Sequence, residues 1–144
     1  MNESKDVAMI PKSRIDTNII IRFLVGDGGD HANKAKALFE RAAAGEEILV
    51  LCDTIFIETV FVLQSYYKHS RTDISKALRA LIRLPVIETE TEVATLAQAL
   101  DFYEMDGIDW ADAIVAAKAL TYGQAVYSFD HHFNKFPGVI RKKL

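Results

Sequence analysis

The sequence predicts an α/β domain, because short β-branched or aromatic runs alternate with longer helical segments along 144 residues that are 50% hydrophobic. With only three prolines and no linker-like stretch, the chain is sized for one domain, 1–144, around one core. The alternation favours helices that cover a parallel sheet, whose strands are short apolar runs buried on both faces.

The elements follow in order. Residues 8 to 15 read as a first strand and lead to Asp16 and a helix over the apolar run that follows. Residues 31 to 44 (HANKAKALFERAAA) form a helix that stops at Gly45, and 47 to 52 (EILVLC) form a buried strand. A helix covers 54 to 69. The next starts at Thr72 and Asp73 and ends before Pro85, and Val86 and Ile87 mark a strand. A helix over 91 to 104 stops near Gly107. The alanine-rich pattern from 109 to 122 closes at Gly123, and 125 to 129 (AVYSF) form a last strand. There are no internal repeats and no low-complexity tracts.

Composition excludes several classes. The uncharged stretch 59 to 67, like every other in the chain, is far below the roughly 20 apolar residues of a membrane span. Residues 1 to 10 hold no apolar signal-peptide core, so the expected location is cytoplasmic and no membrane partner is expected. A net charge of −3 argues against coating nucleic acid through bulk positive potential, but it leaves room for a local basic strip. The single cysteine, Cys52, cannot form an internal disulfide and is expected to pack in a strand.

Four segments place a carboxylate inside or beside an apolar run: Asp16 in RIDTNIIIRFL, Glu58 in IFIETVFVL, Asp112 in DWADAIVAA and Asp130 in VYSFDHH. A buried ionised carboxylate is costly unless it is paired or holds a metal, and none of the four has a Lys or Arg at helical neighbour positions. For Glu58 those neighbours are Thr54, Ile55, Phe61 and Val62. Ligands of open α/β sheets bind beyond the carboxyl ends of strands, where Asp16 and Asp130 emerge. Glu58 and Asp112 lie early in helices that start near that edge, so the four acids are expected to converge.

Each acid also has a plain structural reading. Asp16 precedes Thr17 and a helix, so capping alone accounts for it, and Asp130 shares that ambiguity. Asp109 and Asp112 are spaced like a cap and a third-position acid; capping is preferred for Asp109 and a site role for Asp112. His31, His69, His131 and His132 are read as surface residues, without partners at metal-ligand spacing. Thr17 and Ser128 are secondary candidates whose hydroxyls are placed to bind a water or orient a carboxylate. Arg14, Arg22, Lys135, Arg141, Lys142 and Lys143 are a scattered basic set, and those near the chain end suit a phosphate backbone.

Carboxylates of this kind suit a hard cation such as Mg²⁺ or Mn²⁺, which takes oxygen ligands and shares its shell with substrate phosphates. Such an ion lowers the pKa of its water and neutralises a leaving oxygen, so hydrolysis of a phosphodiester needs no nucleophilic side chain. The chain has no G-x-S-x-G elbow, no Gly-rich phosphate loop with its lysine and no Cys/His nucleophile arrangement.

On these segments the chain resembles the PIN-domain ribonucleases, and specifically the VapC toxins of type II toxin–antitoxin pairs. The carrying residues are IDTNIIIRFL (15 to 24), IFIETVFVLQSYY (55 to 67), IDWADAIVAAKA (108 to 119) and VYSFDHHFNKFPGV (126 to 139), in the family's order. The resemblance implies a three-layer α/β/α sandwich and an acidic quartet of Asp16, Glu58, Asp112 and Asp130 around Mg²⁺ or Mn²⁺. Thr17, Asn18, Asp109 and Ser128 are the supporting positions it implies. It further implies endonucleolytic cleavage of RNA, tRNA or rRNA among the targets, homodimers, and inhibition by a cognate VapB antitoxin.

One departure stands out: Pro11, Lys12, Ser13 and Arg14 intervene where the family's first strand runs apolar into Asp-Thr-Asn. Proline donates no ladder hydrogen bond, so this strand is predicted to be shorter or shifted. Two other readings compete. A non-catalytic PIN-fold RNA-binding or regulatory module is disfavoured by the intact quartet. A phosphatase with Asp16 as nucleophile lacks the acid two residues on, where Asn18 stands.

Overall fold

The computed structural model describes residues 9–144. Six helices and five short strands follow one another in the predicted alternation. The strands are β1 (Lys12–Arg14), β2 (Ile48–Leu51), β3 (Ile87–Thr89), β4 (Val126–Tyr127) and β5 (Arg141–Lys142). The helices are α1 (Thr17–Val25), α2 (Asp30–Ala43), α3 (Asp53–Ser65), α4 (Arg71–Ile82), α5 (Val93–Tyr103) and α6 (Trp110–Tyr122), with a 3₁₀ turn over His131–Lys135.

All pairings are parallel, as the α/β reading requires. They divide into a three-stranded sheet, β1–β2–β3, and a two-stranded one, β4–β5, rather than a single continuous sheet. Short strands explain the division, because two to four residues per strand form few ladder bonds. The first strand is the clearest case. Its described part is three exposed residues instead of an apolar run over 8 to 15, and Pro11 contributes only its carbonyl, to the Ile48 amide at 2.9 Å. The residues before 9 lie outside the described part.

Burial on both faces holds only in part. β2 alternates half-buried and buried residues, whereas β1, at the sheet edge with the sequence KSR, is fully exposed. The core runs from Ile15 to Phe136 and draws on every helix. Each helix buries residues at three- and four-residue spacing: Thr17, Ile20 and Ile21 in α1, and Phe56, Thr59, Val60 and Leu63 in α3. No described helix is long and apolar enough to cross a membrane.

Two contacts set the helices that carry the acids. α3 packs on both α1 and α6, and the rings of Phe56 and Trp110 stack at 4.9 Å, locking the third helix to the start of the sixth. Arg71 donates to the carbonyls of Tyr103, at 2.8 Å, and Ile108, which clamps the loop that delivers Asp109. Gly123 ends α6 at φ 63°, a left-handed conformation that glycine adopts without a Cβ penalty.

Candidate active site

The four predicted acids do not sit buried among apolar side chains. Asp16, Glu58 and Asp130 are exposed and Asp112 is half-buried. The apolar neighbours in sequence mislead because a helix turns 100° per residue: Phe56 and Val60 enter the core while Glu58 faces away from it. Part of that outer face is itself apolar, with Ile57 and Phe61 exposed, which is why the run looks uniformly buried when read as a string.

Asp16 ends the β1 connection in extended backbone and caps α1, its carboxylate accepting from the Ile19 amide at 3.1 Å. Capping and a site role are therefore compatible: one oxygen serves the helix and the other remains available. Asp16, Thr17, Asn18 and Glu58 line one pocket of about 190 Å³ with Ile55 and Val62. The Thr17 hydroxyl is buried and has no hydrogen-bond partner among the described residues. An orphaned buried hydroxyl is costly, and it marks a place where a water or ligand oxygen belongs.

A second group forms at the start of α6. Ligand atoms of Asp112, Asp130 and His132 lie within 4.8 Å of one another. Asp130 is held by its own turn: the Ser128 hydroxyl accepts from the Asp130 amide at 2.9 Å, and the Asp130 carboxylate accepts from the His132 amide at 2.8 Å. Ser128 thus holds the backbone of the turn that carries Asp130 and does not touch its carboxylate. His132 places Nδ1 3.2 Å from the Asp130 carboxylate. Reading it as a plain surface residue missed this, since the 3₁₀ turn that folds residue 132 back toward 130 leaves no periodic signal.

Asp109 occupies the cap position of α6, but its side chain makes no capping hydrogen bond, contrary to the expectation for it. Instead its charge bears on Asp112. Burial pushes the Asp112 carboxyl above its ordinary value, the negative charges of Asp130 and Asp109 push it further, and His132 opposes them. The site acids thus stand as two groups on neighbouring elements instead of one collapsed shell: Asp16 with Glu58, and Asp112 with Asp130. Mutual repulsion gives uncompensated carboxylates no reason to close up.

Neutralisation by protein cations separates these acids from their neighbours. Among the described residues no Lys or Arg pairs with Asp16, Glu58, Asp109, Asp112 or Asp130. Asp53, near the same sheet edge and not singled out by the sequence, accepts from Lys118 at 3.0 Å and from Thr91 at 2.8 Å. A structural acid here has its cation; the site acids have none. That donor set, carboxylates with an imidazole and no lysine, fits a divalent ion.

Cys52 corrects a further expectation. It lies beyond β2 at the cap position of α3, is partly exposed, and receives a contact from Arg14 at 2.8 Å. Arg14, one of the scattered basic set, also lies 3.6 Å from Glu90 and is accounted for by these neighbours.

The PIN domain family model matches residues 14–139 of this chain. The chain belongs to the PIN domain family. A VapC ribonuclease of Aquifex aeolicus (strain VF5) is 25% identical to it over 122 residues, 84% of this chain and 89% of that protein. The matched span contains every segment that carried the resemblance, from Asp16 to Asp130.

Proposed function

We propose that this PIN domain, taken as one unit over 1–144, is an endoribonuclease toxin of the VapC kind that cleaves RNA, with tRNA or rRNA as its target class. The observation that carries the reading is the set of acids without Lys or Arg partners among the described residues, Asp16 and Glu58 lining one pocket and Asp112 and Asp130 grouped with His132, while Asp53 is neutralised by Lys118. Asp16, Glu58, Asp112 and Asp130 hold Mg²⁺ or Mn²⁺, and Thr17, Asn18, Asp109 and Ser128 support them. When bound, such an ion supplies an acidified water and offsets charge on the leaving oxygen.

The chain's own residues do the rest. The Ser128 hydroxyl holds the Asp130 backbone amide and the His132 amide holds its carboxylate, and the Phe56–Trp110 stack fixes α3 against α6, so that Glu58 and Asp112 keep their relative placement. The Thr17 hydroxyl orients a water beside Asp16. The protein is cytoplasmic and acts as a homodimer, for which the exposed Ile57 and Phe61 on α3 offer apolar surface. A VapB-type antitoxin neutralises it.

The test is incubation of purified protein with a mixed tRNA and rRNA pool in Mg²⁺, Mn²⁺ or EDTA, with Asp16→Asn alongside. Discrete fragments that need metal and vanish in the variant support the reading. No cleavage by folded, metal-loaded, antitoxin-free protein favours the non-catalytic RNA-binding module.

A further inference from the structure

A cationic pocket adjoins the acids and has no part in holding them. Asp16, Asn18, Ile19, Arg22, His31 and Lys34 line a cavity of about 400 Å³ between α1 and α2. Asp16 and Asn18 also line the pocket that holds Glu58, so the two cavities share a wall. One face of Asp16 therefore looks onto the acids and the other onto two cations and a histidine.

Both cations have acidic neighbours, which must be weighed. Arg22 contacts Asp27 at 2.6 Å and Lys34 contacts Asp30 at 3.1 Å. Neither acid lines the cavity, whereas both cations do. Exposed pairs contribute little, so an incoming phosphate readily replaces Asp30 at Lys34, where the side chains are 77% and 73% exposed. Arg22 and Asp27, at 38% and 42%, are held more firmly, and there the phosphate adds to the free edge of the guanidinium. Arg22 brings a planar fork suited to two phosphate oxygens. The cavity is larger than a lone phosphate needs and opens along a helix–helix groove, which suits a chain of nucleotides.

We propose that Arg22 and Lys34, with Asn18 and His31, bind an RNA phosphate that flanks the scissile one, so that the backbone runs from the acidic pocket into the α1/α2 groove. The inference rests on the nuclease reading above. Phosphate contacts set register without reading bases, so these residues position the strand and leave target choice to other surfaces.

The experiment measures affinity for a fluorescein-labelled oligouridylate against salt concentration, in a Glu58→Gln background with Mg²⁺ present. Each phosphate contact on a single strand contributes about 0.7 to the slope of log affinity against log salt, so Arg22→Gln with Lys34→Gln is expected to reduce it by about 1.4. Lys76→Gln, on the exposed face of α4 and outside both cavities, leaves the slope unchanged, and Arg22→Lys with Lys34→Arg restores it. An unchanged slope in the double variant overturns the proposal and leaves the cations to an acidic peptide. Absence of RNA binding in the Glu58→Gln protein overturns it as well. Because binding is read without cleavage, a chain that cleaves RNA with an unaltered slope refutes this inference alone, and one that binds as predicted but never cleaves refutes the nuclease reading and leaves Arg22 and Lys34 as phosphate contacts of a binding module.

Discussion

Replacing Asp112 with Asn should stabilise the metal-free protein and abolish its stabilisation by metal, so that the order of stability inverts on adding Mg²⁺. The repulsion follows from the geometry: ligand atoms of Asp112 and Asp130 lie within 4.8 Å. Two unit charges at that distance repel by about 3.5 kcal/mol at an effective dielectric of about 20 and by about 0.9 kcal/mol in water. The Asp130 side chain is 45% exposed, so the lower figure governs. The helix dipole at the start of α6 favours the Asp112 charge by about 0.5 kcal/mol, while burial opposes it. With burial adding to the repulsion that remains, a net gain of about 0.5 kcal/mol for Asp112→Asn results, about 2 °C in Tm for a domain of this size.

With metal the sign reverses. An ion at a hundred times its Kd stabilises the parent by about 2.7 kcal/mol and the variant by much less. The pH dependence checks the same charge. A carboxyl raised in the folded state contributes stability that is present below its unfolded pKa and lost as pH rises through the folded one. The advantage of Asp112→Asn should therefore shrink as pH falls and vanish once Asp112 is protonated in both states. Thermal melts with and without Mg²⁺ across that range decide it. A variant less stable than the parent without metal, or one stabilised equally by Mg²⁺, refutes the reasoning.

Three further outcomes are expected. Thr17→Val removes a buried hydroxyl without a partner, so the metal-free fold should hold or gain about 1 kcal/mol while RNA cleavage falls; equal loss of both would assign the hydroxyl a structural role. Phe56→Ala opens a cavity under the Trp110 stack and should cost about 3 to 5 kcal/mol by denaturant titration, with cleavage reduced even below the melting point because α3 loses its lock on α6. Cys52→Ala should shift stability and leave cleavage unchanged, and loss of activity in a folded variant would show that the Arg14–Cys52 contact serves the site.

Much of this architecture was legible in the chain. Helix stops at Gly45 and Gly123 are local chemistry that reads well from sequence, whereas the helix expected to start at Thr72 and Asp73 starts at Arg71, capped by the Ser70 hydroxyl. Strands of two to four residues carry too few positions for a period to show, which is why β1 shrank to Lys12–Arg14 and β5 at Arg141–Lys142 went unforeseen. The acids were found for a reason that proved partly wrong. Apolar neighbours in the string suggested burial, yet Glu58 is exposed on a helix with apolar residues on two faces. What survived is the missing cation, a property of the neighbours rather than of burial. His132 was missed because its approach to Asp130 depends on a 3₁₀ turn. Arg22 was read as one of a scattered basic set and Lys34 was not singled out, because the two line one cavity only once two helices pack.

The central claim is that the Asp16–Glu58 pair and the Asp112–Asp130 pair serve one metal-dependent reaction on RNA. It is tested most directly by Mn²⁺-dependent cleavage of a single purified RNA target by Glu58→Gln and by Asp112→Asn, each beside the parent. Loss of the same fragments in both variants, with both proteins folded, is the predicted result. Retention of full cleavage by either one would contradict it.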